Sequence, residues 1–219
     1  MVPVHDGERW LGEALESIAA QTYPDVETVV VDDGSTDGSA AVIARFPGVL
    51  ALSQPASGAG LARNAGIAAA TGELIAFCDQ DDVLDARKLE VQAAHLADHP
   101  EADLVLARQR PLLEPGATLP DWARPDRTFG DAGGVLPLSA LVRRTAFDRV
   151  GVFDPTLPGA EDADWLYRAR RAGLGIAVLD EILMTRRIHA DNLSHDEALV
   201  RESLFQSIRK LTAGRGEAD

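Results

Sequence analysis

The stretch VVVDDGST, residues 29–36, decides how the chain is read. Three consecutive valines suit a strand buried on both faces, as in a parallel sheet. Burial makes charge costly, yet the run ends in Asp32 and Asp33, followed at once by the turn formers Gly34 and Ser35. A second run repeats the pattern, with ELIAFC (73–78) leading straight into Asp79, Gln80, Asp81 and Asp82. Ligands of open α/β sheets bind outside the carboxyl ends of the parallel strands, where both acid clusters would fall. Two such clusters at neighbouring tips repel each other unless something positive lies between them. A divalent cation, with hydrogen-bond donors supplied by a ligand, resolves that cost. Asp32, Asp37 and Asp85 have a plainer use as turn formers and helix caps, whereas Asp33 and Asp81 occupy the repeated strand-end position.

Working outward, Trp10, Leu11, Ala14, Leu15, Ile18 and Ala19 recur at helical spacing, and Pro24 keeps that helix from continuing. Asp37 is placed to cap a helix reaching about Phe46, and residues 48–52 read as a short strand. The small-residue segment 61–70 suits a helix ended by Gly72. Asp85 would cap a helix over 86–98 with Leu89, Ala93 and Leu96 facing inward, and 102–107 is a fourth strand. A proline- and glycine-rich excursion, 109–134, interrupts the rhythm, as functional loops do. Beyond it the pattern predicts a strand near 136–142, a short helix from Arg144 and a helix over about 162–172. Strands near 175–179 and 182–188 come next, then a helix over 195–212. Alternating strands and helices imply an α/β, Rossmann-like, mainly parallel sheet flanked by helices in a single domain.

Composition narrows the function. The 219 residues suffice for one substantial core. Thirty-five acidic against 21 basic residues, a net charge of -14, disfavour wrapping a nucleic-acid backbone. No apolar run approaches the roughly 18 residues that would signal a transmembrane segment. Cys78 is the only cysteine, which excludes an intrachain disulfide and a thiol metal cluster. These features set the expectation of a cytoplasmic protein, with a peripheral place at the inner face of the membrane open to it.

Three blocks then carry a family resemblance: PVHDGERWLGEALESIAAQTYPDVETVVVDDGSTDGS, ARNAGIAAATGELIAFCDQDD and GVFDPTLPGAEDADWLYRARRAG. Their order and spacing resemble the nonprocessive, inverting family 2 glycosyltransferases of GT-A fold, over Met1 to about Ser194. The resemblance implies a nucleotide-sugar donor, a UDP-sugar first, a divalent metal (Mn²⁺ or Mg²⁺), and a saccharide, lipid-linked or other hydroxyl acceptor. It divides the domain into a nucleotide-sugar-binding half (1–108), an acceptor-binding and catalytic half (109–194), and a C-terminal helix with a frayed tail (195–219). Asp33 is matched with the residue that accepts a hydrogen bond from the nucleobase imide. Pro3, Val4 and Glu8 resemble residues framing base and ribose, and Arg63 lies where a guanidinium could meet phosphate or pair with an acid. The D-x-D motif maps onto Asp79-Gln80-Asp81, with Asp81 toward the metal, Asp79 toward the ribose and Asp82 supporting the turn. Glu161 and Asp162 resemble the family's acidic pair, with Glu161 on the acceptor side and Asp162 as catalytic base. A helix cap is the plain alternative for Asp162 or Asp164. The segment RRIHADNLS resembles the family's R-x-H-x-x-N-x-S ending, and places His189 near the metal or diphosphate. Trp122 and Trp165 could stack on a sugar, although packing is the commoner use.

The resemblance has departures: only Met1 and Val2 precede Pro3, and His5-Asp6 replaces the usual Tyr-Asn. Two other functions share parts of the pattern. A nucleotidyltransferase would need a Gly-rich, basic phosphate loop after the first strand, where HDGERW offers one glycine and one arginine. A noncatalytic nucleotide-binding relative would keep the pocket and lose turnover.

Overall fold

The computed structural model describes residues 1–120 and 133–213. The first layer is built from β1 (Val2–Val4), β2 (Thr28–Asp33) and β3 (Val49–Gln54), which run parallel in the order β1-β2-β3. The valine run of β2 divides between two cores, as alternation along a strand requires. Val30 joins a cluster with Leu11, Leu15, Ile18 and Ile43, from α1 (Leu11–Ala19) and α2 (Ser39–Ile43). Val29 and Val31 pack against Ala62 of α3 (Ala59–Ala69) on the other face. A strand covered on both sides needs no polar face until it reaches its tip.

The second sheet contains β4 (Leu74–Ala76), β5 (Val83–Leu84), β6 (Leu104–Leu113), β7 (Gly134–Val135), β8 (Leu141–Arg143) and β9 (Ile176–Ile188). Its order is β4-β8-β6-β9-β5, with β7 on β6. Met1 joins the two sheets: its N-terminal nitrogen donates to Ala76 O at 2.9 Å, and Cys78 N donates to Met1 O at 3.1 Å. This is a parallel bridge, so β4 runs with β1. β8 is antiparallel to both β4 and β6, and β6 is parallel to β9. Over the two sheets together six strands therefore run one way and β5, β7 and β8 the other, the reversed strands all lying in the second sheet.

Helices α4 (Lys88–Asp98), α5 (Arg144–Val150) and α6 (Glu161–Arg171) pack on the second-sheet side of the molecule, and α7 (Glu197–Ala213) packs on α6. Leu89, Ala93 and Leu96 are the buried face of α4, as their spacing predicts. Trp165 lies against Phe147 and Phe153 in the larger core, which settles it as packing. Trp122 lies outside the described residues.

Several boundaries differ from expectation. Asp37 Oδ1 accepts from Ser39 N, so its helix starts two residues later and is short. Arg87, not Asp85, occupies the cap position of α4, and Asp85 Oδ1 instead accepts from Arg87 N in the preceding turn. β6 continues through 109–113, into the segment read as irregular, because those residues pair with Met184–Ile188 of β9. The boundary between the two halves at 108/109 thus lies inside a strand. The two strands expected near 175–179 and 182–188 are one, whose register shifts opposite Arg108 and absorb the exposed Asp180 and Glu181. The strand expected at 136–142 is split by a 3-10 turn at Pro137–Ser139, beginning where proline removes a ladder donor.

Candidate active site

The tip of β2 is a closed polar network. Gly34 takes φ +75°, and a Cβ there would stand 2.7 Å from Ala56 N, so the turn requires glycine. Asp32 Oδ1 accepts from Ser35 N at 2.9 Å, the turn-forming use expected of it. Asp33 is buried, and its carboxylate receives Gln54 Nε2 (2.7 Å) and Ser57 N (2.9 Å) on Oδ1 and Gly58 N (2.7 Å) on Oδ2. Those three donors come from the segment leading into α3. A carboxylate has about four lone-pair positions, so Oδ2 keeps one for a further donor.

The loop after β1 is tied to the same tip. Asp6, at φ +48°, accepts from Thr36 N at 2.7 Å, and Glu8 Oε2 accepts from Gly38 N at 3.0 Å. Glu8 therefore holds the neighbouring loop. Pro3 and Val4 are buried, and Val4 belongs to the α1-side core, which leaves their main chain as the part nearest the tip. The Gln80 side chain pairs with the backbone of His5 in both directions, His5 N donating to Oε1 (2.8 Å) and Nε2 donating to His5 O (3.0 Å).

At the tip of β4, Asp79, Asp81 and Asp82 each present a carboxylate oxygen, all within 4.8 Å of one another. Asp81 Oδ2 lies 3.0 Å from His189 Nε2 and accepts from Asn192 Nδ2 at 2.8 Å. Asp82 Oδ1 accepts from Arg187 N, while its buried Oδ2 has no partner. Burial, together with the charges of Asp81 and Asp79, pushes the Asp82 carboxyl well above the usual range against the pull of Arg186. A hard cation would supply what that orphaned oxygen lacks, and the all-oxygen donor set with one imidazole alongside suits Mg²⁺ or Mn²⁺.

Arg63 is the hinge of the cluster. Its guanidinium is buried, with Nη2 donating to Asp79 Oδ1 at 2.7 Å and Nη1 to Glu161 Oε1 at 2.5 Å. Burial opposes its charge, but Asp79, Glu161 and Asp162 outweigh that and raise its pKa further. Burial also opposes ionisation of Asp79, yet Arg63 and then Arg186 hold its carboxyl below the usual range. Arg63 is thus an acid-paired arginine, buried rather than on the surface, with both terminal nitrogens committed.

Glu161 and Asp162 open α6, whose cap position is Ala160 and which has no side-chain cap. Asp162 therefore is not a capping residue; its Oδ1 accepts from Ala163 N at 2.7 Å. Burial and the neighbouring Glu161 raise its pKa to about 6, against the pull of Arg63. Asp164 is structural, accepting from Arg168 Nε (2.7 Å) and Ser207 Oγ (2.6 Å), and so ties α6 to α7.

Sequence reasoning gave no role to three contributors, although Arg187 and Asn192 are letters of the R-x-H-x-x-N-x-S segment. Arg186 has its charge stabilised by Asp82, Asp79, Asp81 and Asp162 against the cost of burial, which makes it a cation facing the whole acid cluster. Arg187 donates to Asp81 O at 3.1 Å, pairs with Glu13 and Glu114, and stacks 4.2 Å from the Trp10 ring centroid. Asn192 completes the Asp81 environment. The available signal was the pair Arg186-Arg187 just before His189, at the end of an apolar strand.

Known proteins resemble this chain in sequence and in fold. An uncharacterised glycosyltransferase of Nostoc sp. is 47% identical over 87 residues, 37% of this chain and 27% of that protein. The poly(ribitol-phosphate) β-N-acetylglucosaminyltransferase TarS of Staphylococcus aureus is 28% identical over 225 residues, 97% of this chain and 39% of TarS. A crystal structure of TarS 1–349 superposes at TM-score 0.71 with 25% identity, covering 85% of this chain and 59% of that one. A Pyrobaculum calidifontis mannosyltransferase solved with GDP-Man and Mn²⁺ superposes at TM-score 0.72 with 22% identity, over 97% of this chain and 63% of that one. The chain spans well under two thirds of the Nostoc protein and of TarS. The fold is GT-A. The profile of glycosyl transferase family 2 matches residues 1–151, about two thirds of the sequence, and the chain belongs to that family.

Proposed function

We propose that the strand-tip cluster transfers one sugar from a nucleotide-sugar donor to an acceptor hydroxyl, with inversion at the anomeric carbon. The observation that carries this reading is the Arg63 clamp, which binds Asp79 of the acid triad and Glu161, next to Asp162, in one network. Asp162 is the base: with a pKa of about 6 it is ionised at neutral pH and still basic enough to take the acceptor proton. The acceptor oxygen attacks the anomeric carbon, the bond to the diphosphate breaks, and the proton passes to an Asp162 carboxylate oxygen.

Asp79, Asp81 and Asp82 would hold a Mn²⁺ or Mg²⁺ ion, with His189 beside Asp81, and that ion would offset charge on the leaving diphosphate. Arg63 and Glu161 act as positioning residues, holding α6 against the β4 tip. The free lone pair of Asp33 Oδ2 is the acceptor for a uracil imide, and the main chain of Pro3 and Val4 lies along the same side. Structures of TarS with UDP-GlcNAc, and its name, support a UDP-sugar. The acceptor is a saccharide, a lipid-linked sugar or another hydroxyl compound. No helix among the described residues is long and apolar enough to cross a membrane.

Thermal shift against UDP-, GDP- and dTDP-sugars, with Mn²⁺ or EDTA, tests the donor. Saturation at 100 times Kd stabilises by about 2.7 kcal/mol, which is readily visible. UDP-sugars should give the largest shift, EDTA should diminish it, and Asp81→Asn should abolish the Mn²⁺ increment while weak UDP binding persists. An EDTA-insensitive shift would return Asp81 and His189 to structural roles.

A further inference from the structure

Trp10 stands at the start of α1 but does not join the core that its neighbours build. Leu11, Leu15 and Ile18 are buried with Val30, in keeping with their helical spacing. Trp10 shares that spacing, yet it is half-buried and, among the described residues, belongs to none of the apolar clusters. Trp165 shows the contrast. Its ring lies against Phe147 and Phe153, and its Nε1 donates to Gly151 O at 2.7 Å. The neighbours of Trp10 are charged or titratable instead. Arg9 and Arg187 each set a guanidinium over its ring, with the central carbons 4.1 and 4.2 Å from the ring centroid. The His189 ring centroid is 6.0 Å away, tilted by 33°. A guanidinium over an aromatic face is attracted by the ring's quadrupole, most strongly over tryptophan.

Arg187 carries this contact to the acid cluster. Its side chain is buried, and it holds the turn after β4 twice over. Its main-chain N donates to Asp82 Oδ1 at 3.0 Å, and its Nε donates to Asp81 O at 3.1 Å. Its two terminal nitrogens pair with Glu114, at the end of β6, and with Glu13 of α1. Glu13 is 55% exposed, so water screens that pair and weakens its hold. The carboxylates grip the guanidinium through its N–H edge, whereas the indole attracts it without using an N–H. Just beyond the end of β9, His189 Nε2 lies 3.0 Å from Asp81 Oδ2. One indole thus neighbours both groups that address Asp81 from this strand end: Arg187 at its carbonyl and His189 at its carboxylate.

We propose that Trp10 is a positioning residue of the cation site. Its ring fixes Arg187 and His189, and through them the placement of Asp81 and Asp82, so cation affinity depends on an aromatic face at position 10. This role rests on the reading of Asp79, Asp81 and Asp82 as cation ligands. Partners that orient metal-binding groups in this way commonly contribute about 10- to 100-fold in metal affinity.

The test is Mn²⁺ binding followed by electron paramagnetic resonance, with UDP present and no acceptor, so that nothing depends on turnover. The unmodified chain is compared with Trp10→Phe, which keeps a ring, and Trp10→Leu, which keeps only apolar bulk. Thermal melting of each is measured alongside. Trp10→Leu should weaken Mn²⁺ binding by about tenfold or more. Trp10→Phe should stay within about threefold of the unmodified chain, because a weaker aromatic face remains. The two variants should melt together. Unchanged Mn²⁺ affinity in Trp10→Leu would overturn the proposal. Equal weakening in both variants would overturn it too, by making the residue a filler of space. Should Trp10→Leu fail to fold, the more pliable Trp10→Met replaces it as the ringless variant and is judged by the same outcomes. An unmodified chain that binds no Mn²⁺ removes the cation reading and this role with it, whereas normal binding that ignores loss of the ring removes this role alone.

Discussion

The two ends of the same strands are built on opposite terms. At the carboxyl ends of β2 and β4 the side chains form one polar network, which still leaves Asp82 Oδ2, Glu161 Oε2 and Arg63 Nε buried without a partner among the described residues: Asp33 holds three donors, Arg63 joins Asp79 to Glu161, and Gln80 is bonded to His5 in both directions. At the amino ends there is a mostly apolar wall and the Met1 nitrogen bonded to Ala76 O. The contrast teaches where a residue's effect will appear. Changes at the carboxyl ends should be felt in chemistry and ligand affinity, and changes at the amino ends in stability alone.

The largest expected effect is at Asp162. Asp162→Asn should lower turnover by on the order of 10²- to 10⁴-fold, the usual worth of a placed general base. UDP affinity should stay close to wild type, and so should stability, because a neutral amide suits a site that already raises the carboxyl's pKa. In the unmodified chain kcat/KM should fall as pH drops through about 6, where the base is protonated. Near-full turnover in the variant would remove Asp162 as the base.

Arg63→Met comes next, and it crosses the division by costing both. The buried Glu161 and the partly buried Asp79 lose their partner, and breaking a buried pair in this way costs about 3–5 kcal/mol. Urea unfolding measures it; a loss under about 1 kcal/mol, the value of an exposed pair, would deny the clamp its role.

Asp33→Ala should weaken UDP binding by about 1.5–3 kcal/mol, the range for a hydrogen bond to a charged group. It should also destabilise the fold by about 1–3 kcal/mol, because Ser57 N and Gly58 N lose their acceptor. Calorimetry of UDP binding separates the two. Lower stability with unchanged UDP affinity would make Asp33 purely a loop anchor.

The smallest effect belongs to the amino ends. The Met1 amine has its pKa lowered from 8.0 to about 6, so folding disfavours the protonated form. The penalty is complete below pH 6, disappears as pH rises to 8, and amounts to no more than about 3 kcal/mol. Stability should therefore rise between pH 6 and 8 on this account, and acetylation of the amine should remove that rise without changing UDP affinity. A pH profile identical before and after acetylation would place the amine in water.

Local pattern carried much of this. The spacing of Leu11, Leu15 and Ile18, the valine run and the acids at two strand tips were legible because helix period, burial and turn chemistry are short-range properties. The unity of β9 was not, since two exposed acids in the middle of a strand look like a turn until β6 is seen pairing on both sides of them. The clamp was equally hidden. Arg63 and Glu161 are 98 residues apart, and nothing near either one in sequence names the other. Arg186 and Arg187 were visible as charge, but which of the acids they would face depends on how the last strand of the sheet is placed.

The pairing of Gln80 with His5 has a consequence for how this sequence can drift. Gly7 lies so close to that amide that a Cβ on it would stand 2.5 Å from Gln80 Oε1. The middle letter of the D-x-D motif, which touches neither cation nor base in this reading, is therefore not a free spacer. Positions 7 and 80 are coupled: a side chain gained at 7 pushes the Gln80 amide off its two bonds to His5, and a shorter residue at 80 relieves that conflict in advance.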